Sequence, residues 1–130
     1  NTHFLGFGAS YGEGAPRDIL TFGNAGTPPA VLDANGKLQN VTSWNAALGL
    51  HLTWSEKFSS NFHFAYAELG STQLLPPTSI RSGSASHANL IYDFNDRIRT
   101  GIEYMVGEQE LVNGRSGTAH RIQTGIFYYF

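Results

Sequence analysis

The chain has no cysteine and only one methionine among its 130 residues, and it has no run of roughly 18 apolar residues such as a membrane helix needs. Without cysteine there is no disulfide framework and no thiolate metal site. A formal net charge of -2 supplies no broad basic surface, so no nucleic-acid partner is expected. Spanning by helices is excluded as well. The amino end, Asn1 to Leu5, lacks the basic start and long apolar stretch of a secretion signal. Because Phe4 to Tyr11 already reads as a strand, the chain is expected to begin partway through a longer protein.

What is present points to extended structure. Hydrophobic residues make up 41% of the chain, enough for folding, and 15 glycines, 9 phenylalanines and 6 tyrosines favour strands separated by turns. The expected class is all-β, in one domain or a piece of one. Apolar residues alternate with polar or small ones in six segments, at about 2–13, 42–54, 58–70, 84–94, 98–110 and 117–130. In the second, Trp44, Ala46, Leu48, Leu50, Leu52 and Trp54 share one face, opposite Asn45, Ala47, Gly49, His51 and Thr53. The last repeats the pattern, with Ile122, Thr124, Ile126, Tyr128 and Phe130 opposite Arg121, Gln123, Gly125, Phe127 and Tyr129.

Connection lengths alternate. Ser55-Glu56-Lys57 and Asn95-Asp96-Arg97 read as three-residue hairpin loops, whereas 14–41, 71–83 with Pro76-Pro77, and 111–116 with Asn113-Gly114 are longer. One rim is therefore tight and the other rich in loops, the rhythm of outer-membrane barrels. The longest connection contains Ile19-Leu20-Thr21-Phe22, which suggests that it folds either into the lumen or against a neighbouring protomer.

Alternation alone does not separate a membrane barrel from a soluble ligand-binding β-barrel whose apolar face points inward. Aromatic placement favours lipid. Trp44 and Trp54 stand about 33 Å apart along a strand, or roughly 23 Å in height at a tilt of about 45°, close to the apolar band of a membrane barrel. Trp54, Phe58, Tyr92, Phe94, Tyr128 and Phe130 gather at the tight rim and, with Trp44 and Tyr104, form an expected lipid-interface girdle. The other face collects Asn45, His51, Asn61, His63, His87, Asn89, Asp93, Arg99, Glu103, Arg121 and Gln123, which suits a water-filled lumen better than a dry core. Six strands are too few to close in lipid, so the chain is expected to complete its barrel with further strands.

The candidate functional residues are therefore wall charges. Arg99 and Arg121 are the cations that would bias ion entry. Asp93 should face Arg99, Asn89 should face Glu103, and Arg121 could reach Glu103 diagonally. His51, His63 and His87 share lumen parity but not metal-ligand spacing, so they read as polar wall residues that could tune a pH response. His120 has lipid-face parity near the loop rim. No nucleophile, base and cleft come together, so neither an enzyme, a cofactor nor a metal is expected. Gly6-x-Gly8 lacks the context of a dinucleotide site, and the acceptor pattern Asn40-Val41-Thr42 reads as chance.

The last two strands carry a resemblance. Gly101-Ile102-Glu103-Tyr104, Gly107-Glu108, Asn113-Gly114, Gly117, Arg121-Ile122-Gln123 and the terminal Tyr128-Tyr129-Phe130 resemble the end of DcaP-type trimeric porins of Gram-negative outer membranes. The earlier strands share only rhythm with that family. The resemblance implies a homotrimer of large barrels, each of about 16 strands, with lumens favouring small anionic solutes such as dicarboxylates. The terminal Phe130 also resembles the signal read by the barrel-assembly machinery. The family's amino-terminal helical extension has no counterpart in this sequence. A structural or interaction barrel that only displays its loops is the alternative role.

Overall fold

Strands with two chemically different faces need neighbours on both edges to pair their backbone groups, and here the alternating segments supply them to one another. The computed structural model describes residues 2–16, 19, 26–70 and 73–130. Its strands are β1 (Phe4–Glu13), β2 (Ala30–Leu32), β3 (Leu38–Asn40), β4 (Thr42–Thr53), β5 (Phe58–Leu69), β6 (Ile80–Asn95), β7 (Ile98–Leu111) and β8 (Ser116–Tyr128). Six of them form one antiparallel sheet in the order β1-β4-β5-β6-β7-β8, while β2 and β3 make a separate small hairpin. The expected six-stranded, all-β wall is what the chain forms.

The tight turns set the register. Between β4 and β5, Trp54 N–H donates to Phe58 O at 2.9 Å, and Ser55 Oγ accepts from Lys57 N (3.2 Å) and Phe58 N (3.1 Å), which closes the expected three-residue loop. The second turn is tighter than expected. Asn95 pairs with Ile98, leaving only Asp96 and Arg97 in the loop, and its Oδ1 accepts from Arg97 N at 2.9 Å. A bulge between Asp93 and Asn95 absorbs the extra residue. The bulge restores the register read from the sequence, with Asp93 opposite Arg99 and Asn89 opposite Glu103.

Two other boundaries differ from the pattern-based reading. β6 begins at Ile80 rather than near 84, because a second bulge between Ile80 and Ser82 accommodates Arg81. The Arg81 guanidinium lies 3.6 Å from Glu68 Oε1 and 3.5 Å from Glu110 Oε1, tying β6 to both neighbours where hydrophobic alternation has stopped. The second difference is the β2–β3 hairpin, which occupies part of the segment read as loop. Its turn is built on Asp33, whose Oδ1 accepts from Asn35 N and Lys37 N at 2.9 Å each, and Gly36 supplies the positive φ of 73°.

The Lys37 backbone N–H, followed by the Gln39 side-chain amide at 3.0 Å, holds the Asp33 carboxyl below its ordinary range. A depressed carboxylate stabilises the hairpin above the ordinary aspartate value of about 3.9, and that contribution is lost as pH falls through the lower folded value. The Lys37 amide should therefore stay protected from hydrogen exchange at pH 6 and lose protection in strong acid. Asp33→Ala should remove the protection at pH 6; protection unchanged by the substitution would dissociate the carboxylate from the turn.

Among the described residues the buried apolar cluster is small: Ile19, Val41, Ala67, Leu69 and Leu75, with Val31, Ile80 and Val112 packed against it. It sits at the loop-rich end, where connections fold over the face that carries Ala67 and Leu69. Leu20, Thr21 and Phe22 lie outside the described residues. Elsewhere the large apolar side chains are exposed or half-buried among the described residues. Leu48 is 48% exposed and Ile126 78%, so the apolar face does not enclose an interior as a soluble barrel would require.

Candidate pore wall and membrane-facing surface

Period-two alternation and the paired register sort the side chains of the sheet into cross-strand rows. On the inner face one row runs Gly8, Ala47, Ala65, Ala85, Gly107 and Ala119, all small. The sheet curls about this face, where a cavity of about 1000 Å³ is lined from β4 to β8 by Asn45, Ala47, Ala65, Ala85, Gly107 and Ala119 among others. Ile19 also lines this cavity and belongs to the buried apolar cluster.

Toward the tight rim the inner wall becomes polar. The next row places His63 directly across from His87, and Met105 across from Arg121. The two imidazole rings meet edge to face at 5.8 Å between centroids. Below them a hydrogen-bonded chain crosses β4 to β8. His51 Nδ1 meets Asn61 Oδ1 at 2.8 Å, and Asn61 donates to Asn89 Oδ1 from its backbone (2.8 Å) and its amide (3.1 Å). Asn89 Nδ2 then donates to Glu103 Oε2 at 3.4 Å, and Gln123 Nε2 donates to Glu103 Oε1 at 2.8 Å. The His87 ring also lies 3.8 Å from Glu103. Of this chain only the facing of Asn89 and Glu103 was legible beforehand, because the rest needs the stagger of five strands.

The two arginines separate. Arg99 grips Asp93 with Nε at 2.6 Å and a second guanidinium nitrogen at 3.1 Å, a two-pronged pair that cancels both charges. Arg121 does not make the diagonal contact with Glu103 that the sequence left open. Gln123, directly opposite Glu103, takes that carboxylate instead. Among the described residues the Arg121 side chain makes no ion pair and no hydrogen bond. No group of three metal-ligating side chains occurs among the described residues.

The outer face carries aromatic rows near both rims. At the tight end Phe58 and Tyr92 meet at 4.7 Å, Tyr92 and Phe94 at 4.6 Å, and Tyr128 stacks on Phe130 at 6.4 Å, while Trp54 Nε1 donates to Ser60 Oγ at 2.9 Å. Toward the loop-rich end, Trp44 packs on Tyr66 at 5.3 Å. Three tyrosine hydroxyls there bond to the next polar residue in the same direction. Tyr11 donates to Glu13 (3.1 Å), Tyr66 donates to Glu68 (3.2 Å), and Tyr104 Oη lies 2.7 Å from His120 Nδ1. Rings placed against apolar neighbours with hydroxyls turned toward a polar side mark an interface. Tyr11 and Tyr66 were missed in the sequence because their hydroxyl direction does not show in periodicity.

The edge between apolar and polar residues on this outer face is oblique. The row through Tyr11 and Trp44 reaches β8 at Ser116, yet apolar residues on β8 begin only at Ile122, after His120. Ser82, Ser84 and Ser86 on β6 and Glu108 on β7 fill the wedge between. A displacement of about six residues over five strand steps, at about 3.3 Å per residue and 4.8 Å per strand, corresponds to a strand tilt near 40°.

A curled antiparallel sheet with an apolar outside and a polar inside is a wall segment of a β-barrel of the membrane-spanning kind. The crystal structure of the outer membrane channel DcaP of Acinetobacter baumannii has this fold: it matches with a TM-score of 0.75 at 14% sequence identity, over 98% of this chain and 36% of that one. The present chain therefore spans little more than a third of that channel's length. No protein-family model and no curated protein matches the sequence.

Proposed function

We propose that this chain is part of the wall of a porin in the outer membrane of a Gram-negative bacterium, completed by further strands into one barrel that passes small polar solutes passively. The observation that carries the reading is the oblique polarity edge. Its inclination falls in the range of about 35–45° at which strands of membrane barrels tilt, so a flat lipid boundary would trace this line across the sheet. The outer face then meets lipid, and the inner face meets water. A channel of the same fold supports this reading.

In this reading the lumen favours small anions, dicarboxylate-like ones included, because the Arg121 guanidinium on the inner wall makes no ion pair among the described residues. The inward-packed Ile19 narrows the mouth at the loop-rich end rather than reaching a neighbouring protomer. Homotrimer assembly, and recognition of the strand ending in Phe130 by the barrel-assembly machinery, belong to the same proposal. Planar-bilayer recording of the full-length protein tests it. Stepwise conductance is expected, and a silent, folded barrel would favour a role in displaying loops instead.

A further inference from the structure

We propose that His63 and His87 make the ion preference of this wall depend on pH, by offsetting Glu103 in acid. The inference rests on the porin reading and concerns the specificity of the same lumen. Among the described residues, the inner wall has two carboxylates with different surroundings. Asp93 is bound by Arg99, whereas Glu103 is held by the uncharged amides of Gln123 and Asn89. The ionisable group closest to Glu103 is the His87 ring, 3.8 Å away, and His87 is edge to face with His63.

The groups around this cluster come from every neighbouring strand. His51 on β4 lies one row toward the tight rim and is tied to Asn61 and Thr53, not to Glu103. β5 contributes His63, β7 contributes Glu103, and β8 contributes Arg121 in the same row as the two imidazoles. β1 brings only Gly6 and Phe4 to these rows, and the Asp93–Arg99 pair stands two rows beyond Glu103. With both imidazoles neutral, the belt holds one carboxylate, Glu103, and one guanidinium, Arg121, which make no contact, and its formal net charge is zero. With both protonated, the belt is positive. Imidazole is the side chain that gains charge between pH 8 and pH 5, and a narrow lumen with low-dielectric walls focuses the resulting field on passing ions.

Reversal potentials of the full-length protein in a potassium chloride gradient, at pH 8 and pH 5, test this. Chloride permeability relative to potassium should rise by about threefold on acidification. The combination His63→Gln with His87→Gln should remove most of the rise, and His87→Lys should bring the acid-like ratio to pH 8. A conducting wild-type channel whose ratio ignores pH, or a double variant that keeps the full shift, overturns the inference while leaving the porin reading intact. A barrel that conducts at neither pH overturns the porin reading itself, and this inference with it.

Discussion

Leu48→Arg lowers the folding stability of the barrel in lipid vesicles by about 2–4 kcal/mol, whereas Ala47→Arg, one residue away, changes it by less than about 1 kcal/mol. The two positions differ in what surrounds them. Leu48 stands on the outer face between the Trp44 and Trp54 rings and is 48% exposed, so a guanidinium there would be placed in hydrocarbon near the middle of the apolar band. Ala47 lies in the small-residue row of the inner face and lines the cavity, where an arginine can extend into water. Urea titration followed by the fluorescence of Trp44 and Trp54 measures both. Equal costs at the two sites would contradict the assignment of the faces.

Arg121→Gln lowers chloride-over-potassium permeability by about threefold, while the paired change Asp93→Asn with Arg99→Gln leaves it unchanged. The contrast follows from pairing rather than from residue type. Arg99 and Asp93 are joined through two hydrogen bonds, so their far field is that of a dipole, and neutralising both alters little. Arg121 has no such partner among the described residues, and its whole charge faces the lumen. Reversal potentials give both ratios. If the paired variant shifts selectivity as far as Arg121→Gln does, ion choice lies near the tight rim instead.

Much of the fold was legible in the sequence because strand alternation is local. Leu48 against Gly49, or Ile122 against Gln123, declares its face without any knowledge of neighbours, and a three-residue turn such as Ser55-Glu56-Lys57 transmits that choice to the next strand. Asp93 opposite Arg99 was foreseeable on the same ground. Legibility stopped where backbone irregularity entered. Arg81 lies in a bulge that polar alternation does not announce, and the start of β6 was misplaced by several residues as a result. The short β2–β3 hairpin was hidden for a related reason, since its order comes from the Asp33 carboxylate capping a turn rather than from a long alternating run.

The candidate site divides in the same way. Which side chains face inward was set by parity alone, so His63, His87, Glu103 and Arg121 could be gathered on one wall from their numbers. Their mutual distances could not. Whether Arg121 or Gln123 meets Glu103 depends on the stagger of β7 against β8, and a shift of two residues would keep every face while exchanging the partners. The amino-acid order by itself determined that this chain forms two-faced ribbons, greasy on one side and hydrophilic on the other. Only the tertiary structure decided which charges cancel, because cancellation requires contact across strands, and contact depends on register and bulges that period-two patterning leaves undetermined.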